Sequence, residues 1–308
     1  MNEIYDVVIV GGGPAAISSA IYTARKGLKV SLIADSIGGQ VITTNSIENI
    51  IGIPKTTGYD FTTNLEKHLS EYDVNVIKGK LVNEIQVKDC CKWVITTDGN
   101  KYKAKAIILA TGAKHRKLNI KGEEEFISKG VHYCATCDGP FYRNLDVVVV
   151  GGGNSGVEAA IDLSNIAKSV TLIEYAPTLK ADTLLQEKII KNPKIKIIVN
   201  AKLEHIKGEQ FVTNLDYIDR TNNQLNNIKT DGIFVEIGLL PNTKNFENLL
   251  ELNKMGEIKI DSLNKTSIEG IFAAGDCTDV AYKQIIIALG DGAKAALSAF
   301  DYIIKLED

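Results

Sequence analysis

Val7-Val8-Ile9-Val10-Gly11-Gly12-Gly13-Pro14-Ala15-Ala16 is answered, 140 residues on, by Val147-Val148-Val149-Val150-Gly151-Gly152-Gly153-Asn154-Ser155-Gly156. Each run of four β-branched residues suits a parallel strand buried on both faces. Each glycine turn then opens a stretch rich in small residues, Ala15 to Lys26 and Ser155 to Ala167, that reads as helix. A second apolar strand follows in each case, Val30 to Ile33 and Val170 to Ile173. The chain thus holds two βαβ units. In Gly11-x-Gly13-x-x-Ala16 and Gly151-x-Gly153-x-x-Gly156 the first glycine allows the tight turn. The second lets backbone approach a pyrophosphate, and the small third residue lets helix and strand pack closely. The anion then lies at a helix N-terminus, on free N–H groups.

The 308 residues suffice for two ordinary domains, and 44% apolar with 24% charged residues reads as globular. A net charge of -3 offers no basic excess for a phosphate backbone, so nucleic acid is not an expected partner. The uncharged run Val7 to Ala24 is broken by Gly11-Gly12-Gly13-Pro14 and Ser18-Ser19 and makes a poor membrane span. The acidic start, Met1-Asn2-Glu3, argues against a signal peptide, so a cytoplasmic location is expected. Five cysteines, Cys90, Cys91, Cys134, Cys137 and Cys277, do not suggest a structural disulfide framework.

Between the repeats, Asn75 to Ile77, Val82 to Val87 and Trp93 to Thr97 read as strands, with Asp98-Gly99 as a hairpin turn. Ala106 to Ala110 reads as a buried strand ending at Thr111-Gly112. In the second half, Phe211 to Tyr217 and Gly232 to Ile237 flank a turn at Asn222-Asn223. Ile271 to Asp276 is a strand running into a turn, and Gln284 to Leu306 the final helix. Glu123-Glu124-Glu125 reads as a solvated charged face.

Ala110-Thr111-Gly112 and Thr266-x-x-x-Gly270-Ile271-Phe272-Ala273-Ala274-Gly275-Asp276 resemble the paired signatures of two-dinucleotide flavoproteins. That resemblance makes the first site an FAD site, with Asp276 on the ribityl chain; by itself Asp276 reads as a turn residue. A second dinucleotide site beside FAD implies a nicotinamide donor. The end of its second strand, Ile173-Glu174-Tyr175-Ala176, meets the adenosine ribose and has no Arg in sequence nearby. Glu174 suits the two hydroxyls of NADH. At about 5 Å and an effective dielectric near 20 it opposes each unit of 2′-phosphate charge by roughly 3 kcal/mol. NADH is therefore expected over NADPH, although Lys180 is able to reach a phosphate.

Cys134-Ala135-Thr136-Cys137 has the spacing of a readily exchanged disulfide. A metal site would need a second pair of ligands, and none occurs at suitable spacing, so no metal is expected. Asp138 reads either as a turn residue before Gly139-Pro140 or as the acid that protonates a leaving thiolate. His132 reads as a satisfied structural histidine or as a group that tunes Cys134.

Cys134-Ala135-Thr136-Cys137-Asp138-Gly139 ahead of Gly151-Gly152-Gly153-Asn154-Ser155-Gly156, with the flanking flavin signatures, resembles the low-molecular-weight thioredoxin reductases over essentially the whole chain. Where those enzymes carry His-Arg-Arg and a further Arg, this chain has Glu174-Tyr175-Ala176 and Lys180. Ala176-Pro177, Gly238-Leu239-Leu240-Pro241-Asn242 and Gly275-Asp276-Cys277 through Ile287 are more similar to the NADH-linked flavoprotein subunit of alkyl hydroperoxide reductase. That relative has an extra N-terminal thioredoxin-like region; here the first strand begins near Ile4, so a separate carrier protein is expected. The resemblance extends the FAD set to Gly11, Gly13, Pro14, Ala15, Gly39, Gln40, Asn49, Thr111, Gly112, Gly275, Asp276, Lys283, Gln284 and Ile285. It assigns Gly151, Gly153, Asn154, Ser155, Gly156, Glu174 and Tyr175 to NAD. It further implies that Cys137 faces the flavin, that Cys134 attacks the partner disulfide, and that the protein is a homodimer.

The expected architecture is α/β, with two Rossmann-like dinucleotide-binding domains. A discontinuous FAD domain (1–112 and 243–308) would be interrupted by an NAD(P) domain (113–242) carrying the CxxC. Dithiol and nicotinamide then belong to one domain and must reach one flavin, which calls for rotation about Ala113-Lys114 and Pro241-Asn242. The expected function is an FAD-dependent disulfide reductase. It would pass electrons from NADH to a thioredoxin- or glutaredoxin-like protein and from there to a peroxiredoxin. The alternatives are an NADPH-dependent thioredoxin reductase, a ferredoxin-fed reductase, against which the intact second glycine motif speaks, and a non-enzymatic flavin sensor.

Overall fold

The structure, a computed structural model, describes residues 4–88 and 91–307, so Cys90 lies outside the described residues. The chain divides into two compact units, Met1–Lys114 with Leu240–Asp308, and His115–Leu239.

The first unit starts with β1 (Ile4–Val10), α1 (Pro14–Arg25) and β2 (Val30–Ile33), then α2 (Gly58–Ser70) and β3 (Val74–Ile77). β4 (Val82–Lys88), β5 (Cys91–Thr96) and β6 (Lys101–Leu109) form an antiparallel meander joined to the parallel strands. β7 (Ala113–His115) leads into the second unit. There the elements are β8 (Val131–His132), α3 (Ala135–Asp138), β9 (Asp146–Val150), α4 (Asn154–Ser164), β10 (Ser169–Ile173), α5 (Thr183–Ile190) and β11 (Ile195–Ile198). They are followed by β12 (Ala201–Gly208), β13 (Val212–Asp219), β14 (Gln224–Lys229) and β15 (Gly232–Val235). β16 (Leu239–Pro241) leads back to the first unit, which closes with β17 (Ile271–Ala273) and α6 (Ile285–Glu307).

In the first unit the sheet runs β3-β2-β1-β6-β5-β4. The nine-residue β6 serves two partners along one edge: Lys101 to Ala104 pair with β5, and Ile107 to Leu109 with β17. In the second unit a parallel sheet runs β11-β10-β9-β15-β8, with a separate three-stranded sheet β12-β13-β14. The strands are apolar at every position because alternate side chains enter different cores. Val7 and Ile9 pack with α1 and α6, while Val8 and Val10 pack with Val94, Phe246 and Ile271. Val147 and Val149 face Val157 and Leu163 of α4, while Val148 and Val150 face Ile206 and Leu215.

Two expectations need correction. The strand after the Asn222-Asn223 turn is β14, whereas Gly232 to Val235 enter the parallel sheet beside β9. β14 is missed because its Gln-Leu-Asn-Asn-Ile-Lys sequence lies mostly exposed and carries little apolar signal. Glu123 is not on a solvated face: it is 1% exposed. Its carboxylate accepts the N–H groups of Leu118 (2.8 Å) and Asn119 (2.7 Å) and the Tyr133 hydroxyl (2.9 Å). Those donors satisfy a charge that would otherwise not be buried. Glu123→Ala orphans all three, and a loss of about 3 kcal/mol is expected. A thermal midpoint unchanged from the parent would contradict that role.

Candidate functional site

In the first unit, Gly11 has φ +129, and a Cβ there would come 2.1 Å from the Ala110 carbonyl oxygen. Only glycine allows β1 to turn this close to β6. Gly13, by contrast, has Gly39 Cα at 4.0 Å as its nearest neighbour, leaving its outer side open at the start of α1. Within this unit several of the residues expected at FAD meet in pairs. Gly39 returns to Gly13, where its own Cβ would meet Gly13 Cα at 3.1 Å. Gly275, φ +73, packs on the start of α1, where a Cβ on it would meet the Ala15 Cβ at 3.0 Å, and Asp276 follows directly. Asn49 donates to the Gln284 side chain at 3.1 Å, next to Ile285, the first residue of α6. Thr111 and Asn242 exchange two 2.9 Å bonds between side chains and backbone carbonyls. Lys283 pairs with Glu257 at 2.9 Å and also donates to the Thr278 carbonyl. Asp276 is partly buried; desolvation raises its pKa, and the Lys283 charge opposes that rise. The open glycine at a helix N-terminus with a polar rim fits a flavin dinucleotide. Asp35, just past β2 and exposed, is a further candidate for the adenosine ribose. Its spacing of about 20 residues from the glycine turn could have found it.

The second unit repeats the turn. Gly151 has φ +124, and a Cβ on Gly156 would come 1.9 Å from the Gly151 oxygen, while Gly153 has nothing within 4 Å. Gly153, Asn154 and Ser155 are exposed at the start of α4. Asn154 is held by Asp182, donating to its carboxylate at 2.9 Å and accepting its N–H at 2.8 Å. Glu174 accepts the N–H of Gly152 (2.6 Å) and of Ala176 (2.7 Å), which aims its carboxylate at the turn. Of the residues assigned to NAD, Gly151, Glu174 and Tyr175 line a cleft of about 590 Å³ together with Lys117, Lys121 and Lys202, while Gly153 to Gly156 lie outside its lining. These residues fit a nicotinamide dinucleotide.

Sequence spacing showed no arginine here, but the fold supplies one. Arg220, at the end of the β13–β14 hairpin, lies over the Tyr175 ring (4.0 Å to the centroid) and donates to the Tyr175 carbonyl at 2.9 Å. No local signal announces it, because 45 residues separate the pair.

Cys134 and Cys137 form a disulfide with Cα atoms 5.3 Å apart, a normal span. Cys134 is the N-cap of the single-turn α3, where its Sγ accepts the Cys137 N–H at 3.2 Å. Both cysteines are half-buried. Asp138 closes the turn and pairs with His132 Nδ1 at 3.0 Å, while His132 Nε2 lies 2.6 Å from the Tyr142 hydroxyl. Burial and the Asp138 charge raise the Tyr142 pKa, keeping its O–H in place. His132, also stacked on Phe234, is thus a satisfied histidine that orients Asp138. Glu236, which sequence reading passed over, accepts the Ala135 N–H at 3.2 Å, and desolvation raises its pKa to about 7. Among the described residues no group of three or more His, Cys, Asp or Glu could hold a metal ion, and no helix is long and apolar enough to cross a membrane.

Residues 5–292 match the family model for pyridine nucleotide-disulphide oxidoreductases. The F subunit of alkyl hydroperoxide reductase from Staphylococcus epidermidis is 51% identical over 304 residues, covering 99% of this chain and 60% of that protein. A Bacillus subtilis protein named NADH dehydrogenase is 48% identical over the same shares. The chain thus spans about three-fifths of the length of these curated relatives. The solved thioredoxin reductase of Streptococcus pyogenes superposes with a TM-score of 0.94 at 37% identity, covering 99% of this chain and all of that one. Two glycine turns built for dinucleotides, a disulfide in a helical turn and these likenesses agree: the chain belongs to the pyridine nucleotide-disulphide oxidoreductase family, as a flavin disulfide reductase of the type shared by thioredoxin reductases and the alkyl hydroperoxide reductase flavoproteins.

Proposed function

We propose that this reductase passes electrons from NADH through FAD and the Cys134–Cys137 pair to the disulfide of a thioredoxin- or glutaredoxin-like protein, with a peroxiredoxin beyond it. The observation that carries this reading is the half-buried disulfide in α3, with Asp138 held beside it. FAD, bound by the Gly11 turn and the segments around Thr111, Gly275 and Gln284, supplies the two-electron link between coenzyme and disulfide. The coenzyme is assigned to Gly151, Gly153, Asn154, Ser155 and Gly156, with Glu174 on its ribose.

The exchange itself needs only this chain's thiols. In the reduced dithiol the Cys134 thiolate attacks the partner disulfide, forming a mixed disulfide and releasing a partner thiolate. Asp138, held beside the turn by His132, passes to that thiolate the proton that Cys134 gave up. Cys137 then attacks Cys134 Sγ, its thiol proton passing to the second partner sulfur as that leaves, which restores the internal disulfide and releases the reduced partner. Each round oxidises one dithiol and reduces one disulfide. By family resemblance the protein acts as a homodimer.

Glu174, fastened by two backbone N–H groups, cannot easily turn away from a 2′-phosphate, and this supports NADH. Arg220 on Tyr175 favours a second reading, use of NADPH, because a guanidinium there could hold that phosphate. Stopped-flow flavin reduction with each coenzyme separates the two. NADH is expected to be better by about 10- to 100-fold in kcat/KM, and Glu174→Arg should narrow or reverse the ratio. Equal efficiency with both coenzymes would remove the basis for the NADH assignment.

A further inference from the structure

Glu236 lies at the carboxyl end of β15, beside β9. The order β11-β10-β9-β15-β8 makes this the point where connections diverge to the two sides of the sheet, and ligands of open α/β sheets bind there. Its N–H donates to the Val150 carbonyl at 2.8 Å. Its carbonyl packs on the coenzyme turn so closely that a Cβ on Gly151 would come within 2.4 Å of the oxygen. Its carboxyl points the other way, to the Ala135 N–H at 3.2 Å. That N–H belongs to the first turn of α3, directly after Cys134, and has no helical partner of its own. One residue therefore touches the pyrophosphate turn with its backbone and the redox turn with its side chain.

We propose that Glu236 is a positioning residue whose proton is linked to coenzyme occupancy: it takes up a proton when a dinucleotide binds at Gly151–Gly156 and releases it beside the Cys134–Cys137 turn when the dinucleotide leaves. This rests on the coenzyme assignment made above. The physical cause is charge. Desolvation brings the carboxyl to half-ionisation near pH 7, with no cation among the causes of the shift. A pyrophosphate at the adjacent turn adds negative charge, which disfavours the carboxylate further. Loss of the coenzyme restores the carboxylate and strengthens its bond to Ala135 N–H, since a charged acceptor binds a donor more strongly.

The other titratable groups on neighbouring elements include Asp146 at the opposite end of β9, His132 on β8, paired with Asp138 on α3, and Glu174 beyond β10. His115, whose pKa is lowered by burial, and the cleft lysines Lys117, Lys121 and Lys202 also lie in this unit. All of them remain in Glu236→Gln, which keeps an acceptor for Ala135 N–H and loses only the titration.

The test is calorimetric titration of the flavin-loaded protein with ADP-ribose, which fills the pyrophosphate and adenosine positions and cannot reduce a flavin. Running it at about pH 7.5 in buffers of different ionisation enthalpy counts protons. Wild type should take up a substantial fraction of one proton. Its affinity should fall about tenfold from pH 6 to pH 9, the equivalent of one pKa unit. In Glu236→Gln both the uptake and that part of the pH dependence should disappear. Binding without uptake in wild type, or equal uptake in both proteins, would overturn the proposal and leave the coenzyme site standing. Failure of wild type to bind ADP-ribose would overturn the coenzyme assignment and this inference with it.

Discussion

Cys137→Ser is expected to lower turnover with a protein disulfide by at least about 1000-fold, the scale seen when a covalent nucleophile is removed. Flavin reduction by NADH should survive, because it precedes the dithiol in the proposed order. Cys134→Ser should behave alike in both assays, but the two variants part when a partner is offered. With Cys137 absent, Cys134 has no second thiol to displace its partner, so a mixed disulfide should accumulate and be recoverable without reductant. With Cys134 absent, none should form. This division of roles is the one the family resemblance implies; the Cys134 sulfur caps α3 and accepts the Cys137 N–H, a bond that a serine oxygen is also able to accept. Recovery of a thioredoxin- or glutaredoxin-like protein would support the proposed acceptor. Recovery of a peroxiredoxin alone, with peroxide reduced in a reconstituted assay lacking any carrier, would refute it. Loss of flavin reduction in either variant would mean that the order of electron flow is wrong.

The second large effect separates the two dinucleotide sites. Gly11→Ala forces a Cβ to 2.1 Å from a strand carbonyl at φ +129, so β1 and β6 must part where the flavin is proposed to bind. The purified protein is expected to lack the yellow absorbance and to take up no added FAD. Gly156→Val places its Cβ 1.9 Å from the Gly151 oxygen and pushes α4 off β9 in the other unit. This variant should keep its flavin and lose NADH affinity by more than about 100-fold, or roughly 3 kcal/mol. The opposite pattern would exchange the assignments. Loss of flavin from both would show that the sites are not separable in this way.

Both glycine turns and the redox turn were readable as sequence, and they are the features whose geometry is local. A tight turn needs φ > 0 within one or two residues, and a CxxC closes within one helical turn, so spacing alone carries the chemistry. The apolar strand runs Val7 to Val10 and Val147 to Val150 were equally plain, because both faces of a parallel strand are covered and polarity is excluded at every position. Polar partners were not readable in this way. Glu123 stands in an acidic triplet that looks solvated, and it is buried only because the Leu118–Asn119 backbone and Tyr133 fold over it. Arg220 reaches Tyr175 through a hairpin whose second strand is polar. Glu236 meets Ala135 across 101 residues of chain. Arg220 and Glu236 depend on strand order, which no short-range preference encodes, whereas the Glu123 partners lie within ten residues and depend on how the loop folds back over the carboxylate. The sequence carried the backbone chemistry of the sites; Arg220 and Glu236 were brought to them by long-range packing, and at the partly buried Glu236 the cost of an unpaired polar group favours its bond to the Ala135 N–H.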